Sequence, residues 1–158
     1  MRRQPALRRR RLIGVIALGL VVFLVISGLL ARVLSVGGAE QSAITSLVQA
    51  EARGDTAAMI NQIQGCAGNA ACRQRVAFDA RYLTRTGSIK ILELNPSSGF
   101  SLISTVGTAR VAWRAGNSLP VVQCVRVRRA GNVLSGMRVE LLKISARIKT
   151  DADCPARY

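Results

Sequence analysis

Hydrophobic positions divide the chain into three regimes. The first is an unbroken run of uncharged, mostly aliphatic residues from Leu12 to Ala31. A helix rises about 1.5 Å per residue, so such a run spans roughly 30 Å, the thickness of a bilayer's hydrocarbon core. The second regime, from Ala39 to Thr84, has helical spacing. Ile44, Leu47 and Val48 predict one helix, which Gly54-Asp55 ends. Asp55 is placed to cap a second, with Met59, Ile60 and Ile63 on its apolar side. A third begins near Asn69 and carries Val76, Phe78, Tyr82 and Leu83 as its apolar residues.

After Gly87 the period falls to two. Ile89 and Ile91 open a short strand, and Asn95–Gly99 reads as a turn. Residues 102–114 alternate Ala109, Val111 and Trp113 on one side with Arg110, Ala112 and Arg114 on the other. Gly116-Asn117 turns the chain. Val121, Gln123, Val125 and Val127 then alternate with Cys124, Arg126 and Arg128. A turn at Ala130-Gly131-Asn132 leads into a last long strand running to Ile148, whose phase slips between Leu141 and Leu142. An extra residue at that slip predicts a β-bulge. Helices followed by a meander of antiparallel strands make an α+β pattern.

Charge gives the first segment an orientation. Arg2, Arg3, Arg8, Arg9, Arg10 and Arg11 precede the apolar run and are expected on the cytoplasmic side. The expected layout is a basic leader (1–11), a transmembrane signal anchor (12–34), a linker (35–40) and an extracytoplasmic domain (41–158). Arg32 sits where a long side chain can snorkel to the head groups. A cleaved signal peptide is the competing reading, with Gly37 and Ala39 as small residues before Glu40. The apolar run is longer than the core of such a peptide, and Arg32 separates it from the supposed site. A twin-arginine signal matches loosely. A pilin-like start lacks its glutamate, since none precedes Glu40, and a lipoprotein lacks its cysteine, since none precedes Cys66.

The remaining composition narrows the chemistry. Residues 35–158 hold sixteen Lys or Arg against eight Asp or Glu, close to +8. Arginine outnumbers lysine twenty to three, a bias that GC-rich coding alone produces. Histidine is absent, which removes the commonest general base and metal ligand. Four cysteines in an exported domain read as two disulfides, expected as Cys66–Cys72 and Cys124–Cys154. A four-cysteine zinc site is the alternative, without a Cys-x-x-Cys knuckle. No cofactor or metal is expected.

The helix broken at Ala52-Arg53-Gly54-Asp55, the further helix, and the strands around Gly107–Trp113 resemble the NTF2-like, cystatin-type cone. The resemblance covers residues 40–150 in pattern and carries no diagnostic motif. It implies a curved antiparallel sheet wrapped on helices, and membrane-anchored versions of that fold are common on bacterial surfaces. Enzymatic members place Asp/His or Tyr/Asp inside the cone. This chain has no histidine to supply the first. Non-catalytic members serve as ligand binders, assembly domains and accessory subunits.

Candidate sites follow from these patterns. Arg110, Arg114, Arg126, Arg128 and Arg138 fall opposite the expected core face and would form one basic surface on three adjacent strands. Guanidinium arrays suit phosphate and carboxylate groups, so anionic lipid or a cell-wall polymer is the candidate ligand. The plainer reading is a solvated, mutually repelling sheet face. Nucleic acid is disfavoured, because no aromatic residue interleaves with the arginines. Trp113 is expected in the core. Asp79, Tyr82 and Glu93 could form an acid/base set only if the fold brings them together. No serine lies in a Gly-x-Ser-x-Gly setting. The expectation is a non-enzymatic accessory or scaffold subunit, partnered by a membrane protein. A binding domain for an anionic or apolar ligand and a histidine-free NTF2-like enzyme are its alternatives.

Overall fold

A computed structural model describes residues 5–97, 103–132, 136–149 and 154. Its elements, in order, are α1 (Pro5–Ala52), α2 (Thr56–Gln62), a short 3-10 turn (Cys66–Gly68), α3 (Ala70–Tyr82), β1 (Ile89–Asn95), β2 (Ile103–Ala115), β3 (Val121–Asn132) and β4 (Gly136–Ile144). The strands form one open antiparallel sheet in the order β1-β2-β3-β4. The helices and one sheet face enclose a single core, so the protein is α+β.

The local signals that end and start helices work as expected. Gly54 takes a left-handed backbone (φ +71°), and the Asp55 carboxylate accepts the Ala58 amide at 2.9 Å to open α2. Asn69 caps α3 by accepting the Cys72 amide at 3.0 Å. Cys66 is bonded to Cys72 and Cys124 to Cys154, with Cα separations of 5.3 and 5.7 Å. Loop-closure entropy assigns roughly 2 kcal/mol to the short loop and nearer 4 to the long one.

Helix α1 is continuous where a linker was expected. Its segment from Leu12 is long and apolar enough to cross a membrane, and Leu12 to Leu30 stand exposed apart from half-buried Leu29. From Val36 the same helix enters the core. Val36, Glu40, Ile44, Leu47, Val48 and Glu51 recur every three or four residues and are all buried. Residues 35–40 are therefore helical, although each of Gly37 and Gly38 costs about 1 kcal/mol relative to alanine there. The side chains of the leader arginines and of Arg32 lie outside the described residues, as do Ser98 and Gly99 of the expected β1–β2 turn.

The sheet departs from regularity at three places. Leu92 is an extra residue in β1 between the pairs Ile91–Trp113 and Glu93–Ala112. Leu142 is the extra residue in β4, between Arg126–Lys143 and Val127–Leu141, where the phase slip placed it. A third irregularity lies between Ile103 and Thr105. Each bends its strand and adds twist. The expected turn at Ala130–Asn132 is instead ladder: Gly131 pairs with Met137 and Asn132 with Gly136. Glycine is required at 131, because φ is +102° and a Cβ there would collide with the Gly136 carbonyl oxygen. Strand β4 stops at Ile144, but Ser145 and Ile148 still donate to the Cys124 and Val122 carbonyls at 2.8 Å.

Candidate functional site

Two glutamates on the buried stripe of α1 organise the polar interior. The Glu40 carboxylate accepts from Arg129 Nη2 at 2.7 Å and Nε at 2.9 Å, and its other oxygen accepts the Ser97 amide at 2.7 Å. This ties α1 to the β1–β2 and β3–β4 ends of the sheet, which therefore lie on the side of the apolar segment. Glu51 meets neutral groups instead. Its Oε1 accepts from Gln123 Nε2 at 2.7 Å, and Gln123 Oε1 accepts from Trp113 Nε1 at 2.9 Å. The Gln123 amide also reaches the Ser145 carbonyl at 3.2 Å.

Burial pushes the Glu51 carboxyl up to about 8, with nearby Asp79 adding to the rise and the Gln123 hydrogen bond opposing it. Asp79 is also pushed up, to about 7, by burial, against the pull of the Arg75 guanidinium 3.9 Å away. Glu51 is thus mainly neutral at pH 7, and Asp79 titrates there. Raised carboxyls in a cleft are candidate catalytic acids. These two are sealed in the core, at 0% and 1% exposure, so their chemistry is directed at the fold.

The acid/base set Asp79, Tyr82 and Glu93 is not brought together. Asp79 points inward, Tyr82 is exposed on α3, and Glu93 lies on the opposite face of the sheet beside Arg110 at 3.4 Å. Trp113 is fully buried, as expected.

Arg110 and Arg114 of β2, Arg126 and Arg128 of β3 and Arg138 of β4 do occupy adjacent strands. Their face is mixed rather than uniformly basic. Glu140 accepts from Arg138 at 3.0 Å and Arg128 at 3.3 Å, and these bonds hold its carboxyl below the usual range. Lysines add to the array in register, Lys90 opposite Arg114 and Lys143 opposite Arg126. Cys124 pairs with Arg110 in register, so the Cys124–Cys154 disulfide interrupts the face. A separate groove of about 510 Å³ runs between α3 and the segment after β4, lined by Cys72, Arg75, Val76, Lys143, Ser145 and Arg147 among others. Among the described residues, no group of three or more acidic or cysteine side chains could hold a metal ion.

Helix α3 reverses the usual segregation. Val76, Ala80 and Leu83 are buried together with Asp79, while Phe78 and Tyr82 are 49% and 58% exposed. Both aromatic residues were expected among apolar positions. A helix turns about 100° per residue, so Phe78 stands roughly opposite Val76. Glu40, Glu51 and Arg129 were not among the expected site residues, and Gln123 was placed only by its inward phase. Their available signal was phase: each occupies the buried repeat of its element.

Comparison with protein-family models, with curated proteins and with solved structures finds no match to this chain.

Proposed function

We propose that this protein is a single-pass, membrane-anchored accessory or scaffold subunit, with its arginine leader inside and its α+β domain outside the cell membrane of a bacterium. The observation that carries this reading is the continuity of α1. One helix supplies both the exposed apolar segment and the central packing element of the domain, joined by Glu40–Arg129. A domain built this way cannot swing freely on a tether. It holds its surfaces at a set height and angle to the bilayer, as a positioning subunit requires. The two disulfides accord with an oxidising compartment.

Continuity also favours a retained anchor. The bond before Glu40 lies inside a helix, and Glu40 is fully buried. The NTF2-like or cystatin-like assignment belongs to the same proposal, supported by a helix packed along a bent antiparallel meander.

The test is cross-linking in intact native membranes, followed by purification of the full chain and mass spectrometry. A stoichiometric membrane-protein partner and an uncut N-terminus are the expected result. Recovery of the protein alone would overturn the subunit reading. The second reading, binding of an anionic lipid or cell-wall polymer, rests on the like-charged register pair Arg126–Lys143. It predicts that Arg126→Glu with Arg128→Glu lowers binding to anionic liposomes; unchanged binding would remove it.

A further inference from the structure

The inversion on α3 carries a local cost. A buried aspartate costs free energy, and an exposed Phe–Tyr pair forgoes it. Neither carboxyl oxygen of Asp79 has a hydrogen-bond partner among the described residues. Outside, the Phe78 and Tyr82 rings lie tilted against each other with centroids 4.3 Å apart. The Arg75 guanidinium lies 5.7 Å from the Phe78 ring and that of Arg81 lies 5.9 Å from the Tyr82 ring. The helix's one carboxylate is turned inward, so every ionised group on its exposed face is positive. Aromatic and arginine side chains in contact are the composition of binding hot spots. The Cys66–Cys72 disulfide ties the first turn of α3 to the segment before it.

Position decides among the possible occupants. The Arg85 amide, just past α3, donates to the carbonyl of Ala52, the last residue of α1, at 2.9 Å. Asp79 neighbours Glu51 electrostatically. The C-terminal half of α3 therefore sits level with the far end of α1. Eighteen residues separate Leu34 from Ala52, about 27 Å along the helix axis. A lipid surface is out of reach at that height. A second copy of this chain would bring arginine faces together. The complementary occupant is a protein segment that is both acidic and apolar.

We infer that the face formed by Arg75, Phe78, Arg81 and Tyr82 docks an acidic, amphipathic segment of a neighbouring membrane protein. The inference rests on the accessory-subunit reading and names the surface that reading leaves open. It is tested in native membranes, in the full chain, with a photo-reactive benzoylphenylalanine placed at Gln74, one turn before Phe78. The same probe at Arg126, on the outer sheet face, is the comparison. A discrete protein adduct from position 74, mapped by mass spectrometry to an acidic peptide, is expected. Arg75→Glu with Arg81→Glu should lower its yield at least about tenfold. Phe78→Ser with Tyr82→Ser should do the same, and these exposed positions leave the fold intact, as unchanged disulfide maps and melting will confirm. Adducts from position 126 alone would sink the α3 site and leave the subunit reading standing. Absence of protein adducts at both positions would sink both. A lipid adduct, an adduct to a second copy, or a yield indifferent to the charge reversals would overturn the inference.

Discussion

Glu40 and Glu51 stand three turns apart on the same face of α1, and both are fully buried. They solve the burial of a carboxyl in opposite ways. Glu40 is matched by a guanidinium and a backbone amide, so its charge is satisfied where it lies. Glu51 faces an amide, an indole behind it and a second carboxyl, so it is held neutral instead. The difference places a charge lock near the apolar segment and a proton-dependent network at the far end. Both carboxyls are removed from water; the guanidinium at one and the neutral amide at the other make the difference.

The largest expected effect breaks the charge lock. Arg129→Met strands Glu40 without its cation and should cost about 3–5 kcal/mol, read from urea unfolding of the full chain in detergent micelles. Adding Glu40→Gln should recover much of that loss. A single substitution costing under about 1 kcal/mol would mean that Arg129 is not what makes burial of Glu40 tolerable.

The next effect is on pH. Glu51 and Asp79 rise to about 8 and about 7 from ordinary values of 4.5 and 3.8, both by burial. The folded state therefore binds more protons than the unfolded state in between. Their contribution to stability is complete below about pH 4 and is lost as pH rises through 7 to 8. Melting temperature should fall between pH 5 and pH 9, by about 3–5 °C for each kcal/mol lost. Glu51→Gln should flatten that slope and raise melting at pH 9. An unchanged slope would show that Glu51 ionises without penalty.

Trp113→Phe probes the same network more gently. It leaves the Gln123 carbonyl oxygen without its buried donor and should cost about 1–3 kcal/mol. Glu140 supplies the lower bound of the comparison. Its two arginine partners hold its carboxyl below the usual range, so what they contribute is present above about pH 4.5 and disappears in acid. The Arg138 and Arg128 side chains are 79% and 42% exposed, so water screens both pairs and Glu140→Gln should lower melting at neutral pH by a few degrees at most. A clear loss would make the outer face more than a solvated surface.

Legibility from the residue order varied with the range of the interaction. The caps Asp55 and Asn69 act within three residues and were readable directly. The alternation in β2 and β3 separated core from outer face correctly, and the adjacent leucines marked the bulge in β4. The Ala130–Asn132 turn was misplaced, because glycine there serves a close approach of two strands and not a reversal. Of the candidate sites, the arginine face was anticipated, but not the carboxylates of Glu93 and Glu140 that interleave with it.

By composition and period alone, this chain determined an apolar helix of membrane-spanning length, an α+β domain after it and four cysteines in two pairs. These depend on near neighbours, on counts, and on the side-chain periods of helix and strand. Tertiary structure alone decided that the helix runs on through Gly37-Gly38, that Arg129 answers a glutamate 89 residues away, and that α3 turns aspartate in and aromatics out. In α3 the apolar residues are spread around the helix, so no local stripe dictates which side is buried. The choice falls to the surface already formed by α1 and the sheet, whose packing energy exceeds the few kcal/mol of placing one carboxyl inside.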